Sequence, residues 1–286
     1  MATYNGAKYI ERQLESILKQ SYHIDEIIIV DDCSTDNTVQ LLLAYASKYE
    51  NIKVYVNESN LRSNLAFKKA ASLANCDYVA FCDQDDIWDF NKIELQMEAI
   101  TKLEIEMGEK DLPLLIYHDL RLMNEGGIIT HDSFWKLHKF LPDSFTFTDL
   151  FLFNVVTGCT CLINKKLKTE MLKCNMEGII MHDYLIALIA YGYGRVVNIN
   201  KSLMCYRSHS SSVTVKETLS FFERIKSLII RMRNREYLMP NIKQIDAFLN
   251  LYKDCLDKIK VADANSFVQL KSSCVLRRMK YKWFKK

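Results

Sequence analysis

The chain has 286 residues and a formal net charge of +3, with 49% hydrophobic and 26% charged residues. This composition is typical of a globular protein, and only three prolines and eight glycines exclude a low-complexity or linker-rich chain. No apolar run approaches the ~18 residues of a membrane span, and no basic segment followed by an apolar one opens the chain. The sequence therefore predicts a cytoplasmic protein.

Strands and helices are expected to alternate over the first part of the chain. Apolar residues at helical spacing predict helices over 7–20, 38–49, 64–74 and 91–107, and short apolar runs predict strands at 27–30, 52–56 and 78–82. Alternation of this kind indicates βαβ units and an α/β fold with a largely parallel sheet. Further strands are expected at 114–117, 155–163, 196–199 and 203–206. Beyond residue 215 the pattern is helical only, with a break expected at Pro240.

Charge divides the chain into two parts. Residues 1–214 carry 21 basic and 28 acidic side chains, whereas residues 215–286 carry 17 basic and 7 acidic ones. This split predicts a main domain over 1–214 and a basic helical extension over 215–286. The extension has three interpretations: a packed appendage with a solvated basic face, a surface for anionic lipid, or, least favoured, a nucleic-acid surface.

Asp83, Asp85 and Asp86 directly follow the strand predicted at 78–82. The carboxyl ends of strands in open α/β sheets are where ligands bind. Carboxylates this close repel one another unless a cation neutralises them, and oxygen ligands favour Mg²⁺ or Mn²⁺. The alternative is a solvated acidic turn before a helix, with Asp86 as its N-cap.

Two other acidic segments stand at the ends of predicted elements. Asp31 and Asp32 close the second strand, where they could instead complement the dipole of the next helix. His182 and Asp183 open an apolar helix. The nine cysteines show no CxxC spacing and are interpreted as buried thiols, with Cys159 and Cys161 on one face of an extended segment.

Seven segments in order resemble the family 2 inverting glycosyltransferases of GT-A fold, most closely the bacterial rhamnosyltransferase-like branch. They are ATYNG (2–6), VDDCSTDNT (30–38), NLRSN (60–64), CDQDDIW (82–88), TGCTCLINKKL (157–167), HDYL (182–185) and YRSHSSSV (206–213). The resemblance implies an α/β GT-A fold, a mostly parallel mixed sheet flanked by helices, with the C-terminal helical extension added.

The same resemblance implies roles for individual residues. Asp83 and Asp85 would hold Mg²⁺ or Mn²⁺, which bridges the diphosphate, and Asp183 would be the catalytic base that deprotonates the acceptor hydroxyl. Capping of its helix is the alternative role for Asp183. The resemblance further implies that Thr3, Tyr4 and Asp32 contact the base and ribose of the nucleotide. It implies that Arg62 and Arg207 contact the diphosphate, and that His209 contacts the metal or the diphosphate.

The implied reaction moves a sugar, with inversion, from a dTDP- or UDP-sugar to a saccharide or lipid-linked acceptor. Rhamnose is the leading donor sugar, and the setting is cell-surface polysaccharide assembly, with the basic tail at the inner face of the cell membrane and nucleic acid not expected as a partner. Two alternatives remain at this point. One is a sugar-1-phosphate nucleotidyltransferase, which would want a glycine-rich phosphate loop; the other is a non-catalytic nucleotide-binding or scaffold protein.

The chain departs from the family pattern at three places. Family members normally carry an apolar strand before ATYNG, so the first strand of the domain is expected to be missing. Cys33 and Arg62 stand where the family has glycine. Arg62 could reach the diphosphate or crowd the nucleotide.

Overall fold

The computed structural model describes residues 1–108, 111–208 and 235–271. In the first of these ranges, short strands alternate with helices as the apolar pattern predicts. The elements are β1 (Ala2–Thr3), α1 (Ile10–Leu18), β2 (Ile27–Asp31), α2 (Thr38–Ala46), β3 (Ile52–Val56), α3 (Arg62–Leu73), β4 (Tyr78–Ala80), β5 (Ile87–Trp88) and α4 (Lys92–Met107).

The later ranges contribute longer strands and the C-terminal helices. The elements are β6 (Leu114–Met123), β7 (Ile129–His131), α5 (Phe134–His138), β8 (Leu162–Asn164), α6 (Lys165–Lys173), α7 (His182–Tyr193), β9 (Arg195–Arg207), α8 (Arg235–Tyr252) and α9 (Lys258–Val268). Short 3₁₀ turns connect some of them, including one at Gly158–Thr160.

The strands form two sheets, and the α/β class is confirmed. One is a parallel sheet in the order β1-β2-β3. The other is mixed, in the order β4-β8-β6-β9-β5 with β7 added to β6, and β6 and β9 form a long parallel pair. β1 is only two residues long, and the Met1 ammonium donates to the carbonyl of Ile28 at 2.8 Å. An apolar cavity of about 180 Å³ lies between β2 and β4.

The structure corrects three predicted elements. Residues 155–161 are not a strand, because the chain turns through Gly158–Thr160 and only Leu162–Asn164 is extended. The two strands expected at 196–199 and 203–206 are one strand, β9, whose register shifts against β6 absorb the polar residues between them. Helix α8 runs through Pro240. Burial of its apolar face offsets the ~3 kcal/mol that an interior proline costs.

The C-terminal helices share a hydrophobic core with the rest of the chain. Ile242, Ile245 and Phe248 of α8 are buried in one cluster with residues of β6, α6 and α7. Tyr252 also donates its hydroxyl to the carbonyl of Glu170 at 2.8 Å. None of the helices in the described ranges has the length and apolar character needed to cross a bilayer.

Candidate functional site

Thr3 and Asp31 build the turn that follows β2. The Thr3 hydroxyl donates to Asp31 Oδ2 at 2.9 Å, and Ser34 donates its backbone N–H to Oδ1 and its hydroxyl to Oδ2. Both Thr3 and Asp31 are buried. Helix α2 is not capped by Asp31 or Asp32, since Asp36 accepts from the Thr38 N–H. Neither carboxylate therefore caps α2, whereas Asp32 accepts from the Leu61 and Arg62 N–H groups at the N-terminus of α3.

The buried carboxylate of Asp32 fixes the loop before α3. It accepts from Asn57 Nδ2 and the Leu61 N–H at 2.8 Å on Oδ1, and from the Arg62 N–H at 2.7 Å on Oδ2. The Arg62 side chain is exposed beside this loop. Asp32 thus fixes the backbone position of Arg62, from which the guanidinium extends. A nucleotide base that contacted Asp32 would meet a carboxylate that already accepts three hydrogen bonds.

The segment 81–86 between β4 and β5, here called the carboxylate loop, carries Asp83, Asp85 and Asp86. The Gln84 side chain connects the loop after β1 to this carboxylate loop, a role that sequence reasoning missed. Its amide accepts from the Tyr4 N–H at 2.8 Å and donates to the Tyr4 carbonyl at 3.0 Å. A Cβ on Gly6 would lie 2.3 Å from Gln84 Oε1, so the glycine leaves room for the amide. The Tyr4 ring is exposed above this contact.

The carboxylate loop brings Asp83 and Asp86 together with Cys159. One ligand atom from each lies within 4.8 Å of the others, the one such group among the described residues, and Asp85 is not part of it. The pKa of Asp83 is raised to about 7, mainly by burial and further by the negative charges of Asp85 and Asp183. Burial and the neighbouring Asp83 and Asp85 raise the pKa of Asp86 well above its usual value. Crowded acidic groups of this kind fit a divalent cation.

Asp86 and Arg207 show that this loop is not a solvated acidic turn. Asp86 is buried and its Oδ1 accepts from the Arg207 N–H at 3.0 Å, while α4 begins only at Lys92, so Asp86 is not a helix N-cap. The buried Arg207 side chain donates from Nε to the Asp85 carbonyl at 2.8 Å and from Nη1 to the Glu125 carbonyl at 3.0 Å. Its guanidinium also lies over the Tyr9 ring. Arg207 therefore stabilises the conformation of the carboxylate loop through its hydrogen bonds to Asp85 and Asp86.

Asp183 lies in the first turn of α7 and faces the turn at Gly158. Its Oδ2 accepts from the Gly158 N–H at 3.0 Å, and Oδ1 accepts from Asn154 Nδ2 at 3.3 Å. Burial raises the pKa of Asp183 to about 6, against the effect of hydrogen bonds from Gly158, Tyr184 and Asn154. Asp183 therefore contacts the turn whose Cys159 is grouped with Asp83, and its charge contributes to the raised pKa of Asp83, so the two carboxylates belong to one site.

His182 is a packed aromatic residue and lies outside the cation-binding group. Its ring stacks on Phe67 at 4.0 Å between centroids and lies 5.3 Å from Phe81. Burial lowers its pKa to about 3, so the imidazole is neutral. His209, expected at the metal or the diphosphate, lies outside the described residues.

A buried lysine beneath the site was also missed by sequence reasoning. Lys92 Nζ lies 3.8 Å from the centroid of the Trp88 ring and donates to Gln96 Oε1 at 3.0 Å. Gln96 in turn donates to the Thr160 carbonyl at 2.8 Å, which ties α4 to the turn that carries Cys159. Burial lowers the pKa of Lys92 to about 8. In the sequence, the only indication of this contact is that Trp88 and Lys92 are four residues apart.

Comparison with known proteins decides the family. The family model described as Glycosyl transferase family 2 matches residues 1–108. The putative teichuronic acid biosynthesis glycosyltransferase TuaG of Bacillus subtilis is 31% identical over 215 residues, covering 74% of this chain and 79% of TuaG. The chain belongs to glycosyl transferase family 2. The dTDP-rhamnosyl transferase RfbG of Shigella flexneri is another relative, 29% identical over 87% of this chain and 86% of its own length.

Solved structures confirm the GT-A fold expected for this family 2 member. Staphylococcus aureus TarS 1–349 in complex with UDP matches with a TM-score of 0.53 and 20% identity, covering 88% of this chain and 70% of that one. The mannosyltransferase PcManGT of Pyrobaculum calidifontis, in complex with GDP-Man and Mn²⁺, matches with a TM-score of 0.51 and 14% identity, covering 97% of this chain and 76% of that one. At these identities the likeness concerns the fold alone. The protein is a glycosyltransferase by family.

Proposed function

We propose that this glycosyltransferase moves a sugar from a nucleoside-diphosphate sugar to a saccharide or lipid-linked acceptor, with inversion, in cell-surface polysaccharide assembly. The names of TuaG, a teichuronic acid enzyme, and RfbG, a dTDP-rhamnosyl transferase, support this setting and favour dTDP-rhamnose as donor. The observation that carries the proposal is the position of Asp183 in the first turn of α7, where its carboxylate accepts from the Gly158 N–H of the turn whose Cys159 is grouped with Asp83 and Asp86.

Asp83 and Asp85 are proposed to hold Mg²⁺ or Mn²⁺. The crowding that raises the pKa of Asp83 fits a cation at this edge of the sheet. A bound divalent cation supplies charge neutralisation for the leaving nucleoside diphosphate. The exposed guanidinium of Arg62, with its backbone held by Asp32, is proposed to contact the same diphosphate. His209 is kept as a further candidate ligand.

Thr3, Tyr4 and Asp32 are proposed to line the base and ribose pocket. The Tyr4 ring is exposed, and its backbone is held by hydrogen bonds with Gln84, so the ring is available to stack on the nucleotide base. Thr3 and Asp32 act through the turn and the loop that they fix. Arg207 is proposed to act on the diphosphate side by holding the carboxylate loop through the Asp85 carbonyl.

Asp183 is proposed as the catalytic base. Inversion needs one carboxylate to accept the proton of the acceptor hydroxyl while that oxygen attacks the anomeric carbon opposite the diphosphate. A pKa of about 6 keeps Asp183 ionised at neutral pH and makes it a stronger base than an ordinary aspartate. The two N–H donors from Gly158 and Asn154 orient its carboxylate.

Membership in family 2 favours a transferase over the two alternative classes. A sugar-1-phosphate nucleotidyltransferase would use a glycine-rich phosphate loop, and Gly6, the sole glycine before Gly108, is packed against Gln84. A scaffold protein does not need a base-like carboxylate with a raised pKa. We further propose the division into a domain over 1–214 and a basic extension over 215–286, located at the cytoplasmic face of the membrane.

A donor screen tests the proposal. Wild-type protein is incubated with Mn²⁺, a lipid-linked saccharide acceptor and dTDP-rhamnose, UDP-glucose, UDP-N-acetylglucosamine or GDP-mannose, and released nucleoside diphosphate is measured. We expect acceptor-dependent release with one donor and, by NMR of the product, the opposite anomeric configuration. Nucleotide binding without turnover of any donor would favour the scaffold alternative. Formation of a nucleotide sugar from a sugar 1-phosphate and a nucleoside triphosphate would favour the nucleotidyltransferase.

A further inference from the structure

The group formed by Asp83, Asp86 and Cys159, here called the inner trio, differs from the Asp83–Asp85 pair proposed for catalysis. The trio joins the carboxylate loop to the turn at Gly158–Thr160, and one ligand atom from each residue lies within 4.8 Å of the others. Asp86 and Cys159 are buried and Asp83 is partly buried. The Asp83–Asp85 pair is here called the outer pair, and Asp83 belongs to both groups.

The chemistry of the inner trio matches a soft divalent cation. Thiolate sulfur selects ions such as Zn²⁺ and Cd²⁺ over Mg²⁺ and Mn²⁺, which favour sites made of oxygen alone. Zn²⁺ binds sulfur at ~2.3 Å and carboxylate oxygen at ~2.0–2.2 Å, which places ligand atoms roughly 3.5 Å apart in a tetrahedral site. In the structure, one ligand atom from each of the three residues lies within 4.8 Å of the others.

Asp86 provides a second, independent observation that points to a ligand. Its Oδ1 is held by the Arg207 N–H, whereas the described residues give the buried Oδ2 no donor other than the Cys159 thiol. A buried carboxylate oxygen with so weak a partner costs free energy that a cation would recover. The Lys92 ammonium acts on the same group from below, but it is engaged with Gln96 and the Trp88 ring.

We propose that the inner trio is a site for a soft divalent cation such as Zn²⁺ or Cd²⁺, with Cys159 as the ligand that selects it. On binding, the sulfur–metal bond replaces the S–H bond of Cys159, and the proton leaves to solvent. A cation held there takes Asp83 away from the outer pair, and it therefore inhibits the glycosyltransferase. The inhibition rests on the proposed function, whereas the cation site itself does not.

Titration with Cd²⁺ tests the site without any need for turnover. A cadmium–thiolate bond produces an ultraviolet charge-transfer band, which we expect at one equivalent in the wild-type protein and not in Cys159→Ser. Cys161→Ala is the matched control, because Cys161 is equally buried two residues away and lies outside the trio. Retention of the band in Cys159→Ser, or its loss in Cys161→Ala, would overturn the proposal.

Asp86→Asn and Asp85→Ala separate the inner trio from the outer pair. Asp86→Asn keeps the thiol and should weaken Cd²⁺ binding by more than about tenfold, because loss of even an outer-shell metal partner costs about 10–100-fold and Asp86 is a direct ligand here. Asp85→Ala should leave Cd²⁺ affinity unchanged while weakening Mn²⁺ binding, measured by electron paramagnetic resonance. Equal effects of Asp85→Ala on both ions would contradict a distinct inner site. If the cadmium band behaves as expected but no sugar is transferred, the proposed function fails and the cation site stands.

Discussion

Cys33 and Arg62 have left-handed backbone conformations, with φ of 69° and 67°. At both positions the resembled family has glycine, and the structure gives the reason: a residue with a Cβ is strained there by about 1–2 kcal/mol. At Arg62 the strained backbone N–H donates to Asp32 and to Asn60. At Cys33 the thiol makes only a long contact of 3.9 Å with the Glu58 carbonyl. Of these two positions, Cys33 is the one where fewer contacts offset the strain.

Cys33→Gly should increase the free energy of unfolding by about 1 kcal/mol, because glycine adopts this φ without strain and loses part of the gain through its greater freedom when unfolded. Chemical denaturation measures the difference. Cys33→Ala is the control, since it removes the thiol and keeps the Cβ. A gain of equal size in the alanine variant would assign the effect to the thiol and not to the backbone.

Asp183→Asn should lower the rate of transfer by about 10²–10⁴-fold with donor affinity unchanged, since a general base acts only on the acceptor. The wild-type rate should fall as the pH drops through about 6, where Asp183 takes up its proton, and the variant should lack this branch. Asp111→Asn, at an exposed carboxylate, is the control.

The stability of Asp183→Asn distinguishes a base from a helix cap. A carboxyl group whose pKa is raised by folding disfavours the folded state when it is ionised, so the neutral asparagine should unfold no more easily than wild type at neutral pH. A marked loss of stability would favour capping of α7 as the function of this residue.

Among the elements, loops and not strands position the candidate site. The segment after β1, the carboxylate loop and the turn at Gly158 are held together by side-chain amides: Gln84 pairs with the Tyr4 backbone, and Gln96 donates to the Thr160 carbonyl. Such contacts join residues 64 to 80 positions apart. They are individually worth about 1 kcal/mol, and together they fix the relative positions of three loops.

Gln84→Ala should lower the free energy of unfolding by about 1–2 kcal/mol, since it removes two hydrogen bonds, and should weaken nucleotide binding because Tyr4 loses its support. Gly6→Ala should destabilise the protein by displacing the Gln84 amide. In the double variant the Gly6→Ala cost should largely disappear, because the group it collides with is gone. Additive costs in this double-mutant cycle would show that the two residues are not coupled.

The sequence predicts periodic elements well and irregular segments poorly, for physical reasons. Helix α3 and strand β3 follow their apolar spacing closely. The apolar run at 155–161 has the composition of a strand, but the Gly158 N–H is satisfied by Asp183 and the Val156 N–H by Asn154, so no sheet partner is needed. A contact with Asp183, 25 residues away, leaves no local pattern.

Site residues divide in the same way. Acidic residues at strand and helix ends were identified because their position alone suggests chemistry, and the structure brings Asp83, Asp85 and Asp183 close enough for their charges to interact. The inclusion of Cys159 in the cation group was not predicted, because the segment around it was expected to be extended, and the family resemblance implied Asp85 and not Asp86 as the partner of Asp83. The bracing of the carboxylate loop by Arg207 depends on a contact across more than 120 residues.

At the scale of the whole molecule, the described C-terminal helices are part of the main core. Phe248 of α8 is fully buried, with its ring 5.9 Å from Phe147 and 5.0 Å from Tyr252. A Cβ at Gly192 in α7 would lie 3.0 Å from Leu256 Cδ2 and 3.4 Å from Phe248 Cζ, so the glycine leaves room for both side chains. Residues from both sides of the predicted boundary at 214 thus contribute to one hydrophobic cluster, which favours cooperative unfolding.

Phe248→Ala should lower the free energy of unfolding of the whole chain by about 3–5 kcal/mol, the usual cost of deleting a buried aromatic ring. We expect a single transition, followed by tryptophan fluorescence in a Trp283→Phe background, so that Trp88 and Trp135 of the main domain are the reporters. Leu251→Ala, an exposed residue of α8, is the control and should change little. If Phe248→Ala instead produced a separate early transition with these tryptophans unaffected, the extension would be an independent unit.

The basic tail adds an expectation that rests on charge alone, since residues 272–286 lie outside the described ranges. Arg277, Arg278, Lys280, Lys282, Lys285 and Lys286 surround Trp283 and Phe284, with no acidic residue among them. Near an anionic lipid surface each basic residue contributes about 1 kcal/mol of attraction. A lipid-linked acceptor would be found at such a surface.

The full chain should therefore sediment with vesicles that contain anionic lipid, and a version ending at Ser273 should not. The attraction is screened beyond a Debye length of ~8 Å at physiological salt, so binding should fall steeply as NaCl is added. Vesicles of neutral lipid are the control, because they report any binding that comes from insertion of Trp283 and Phe284 and not from electrostatic attraction. Equal pelleting of both versions on anionic vesicles, or binding that ignores salt and lipid charge, would return the tail to a structural role. In that case the enzyme would have to reach a membrane-bound acceptor through another surface.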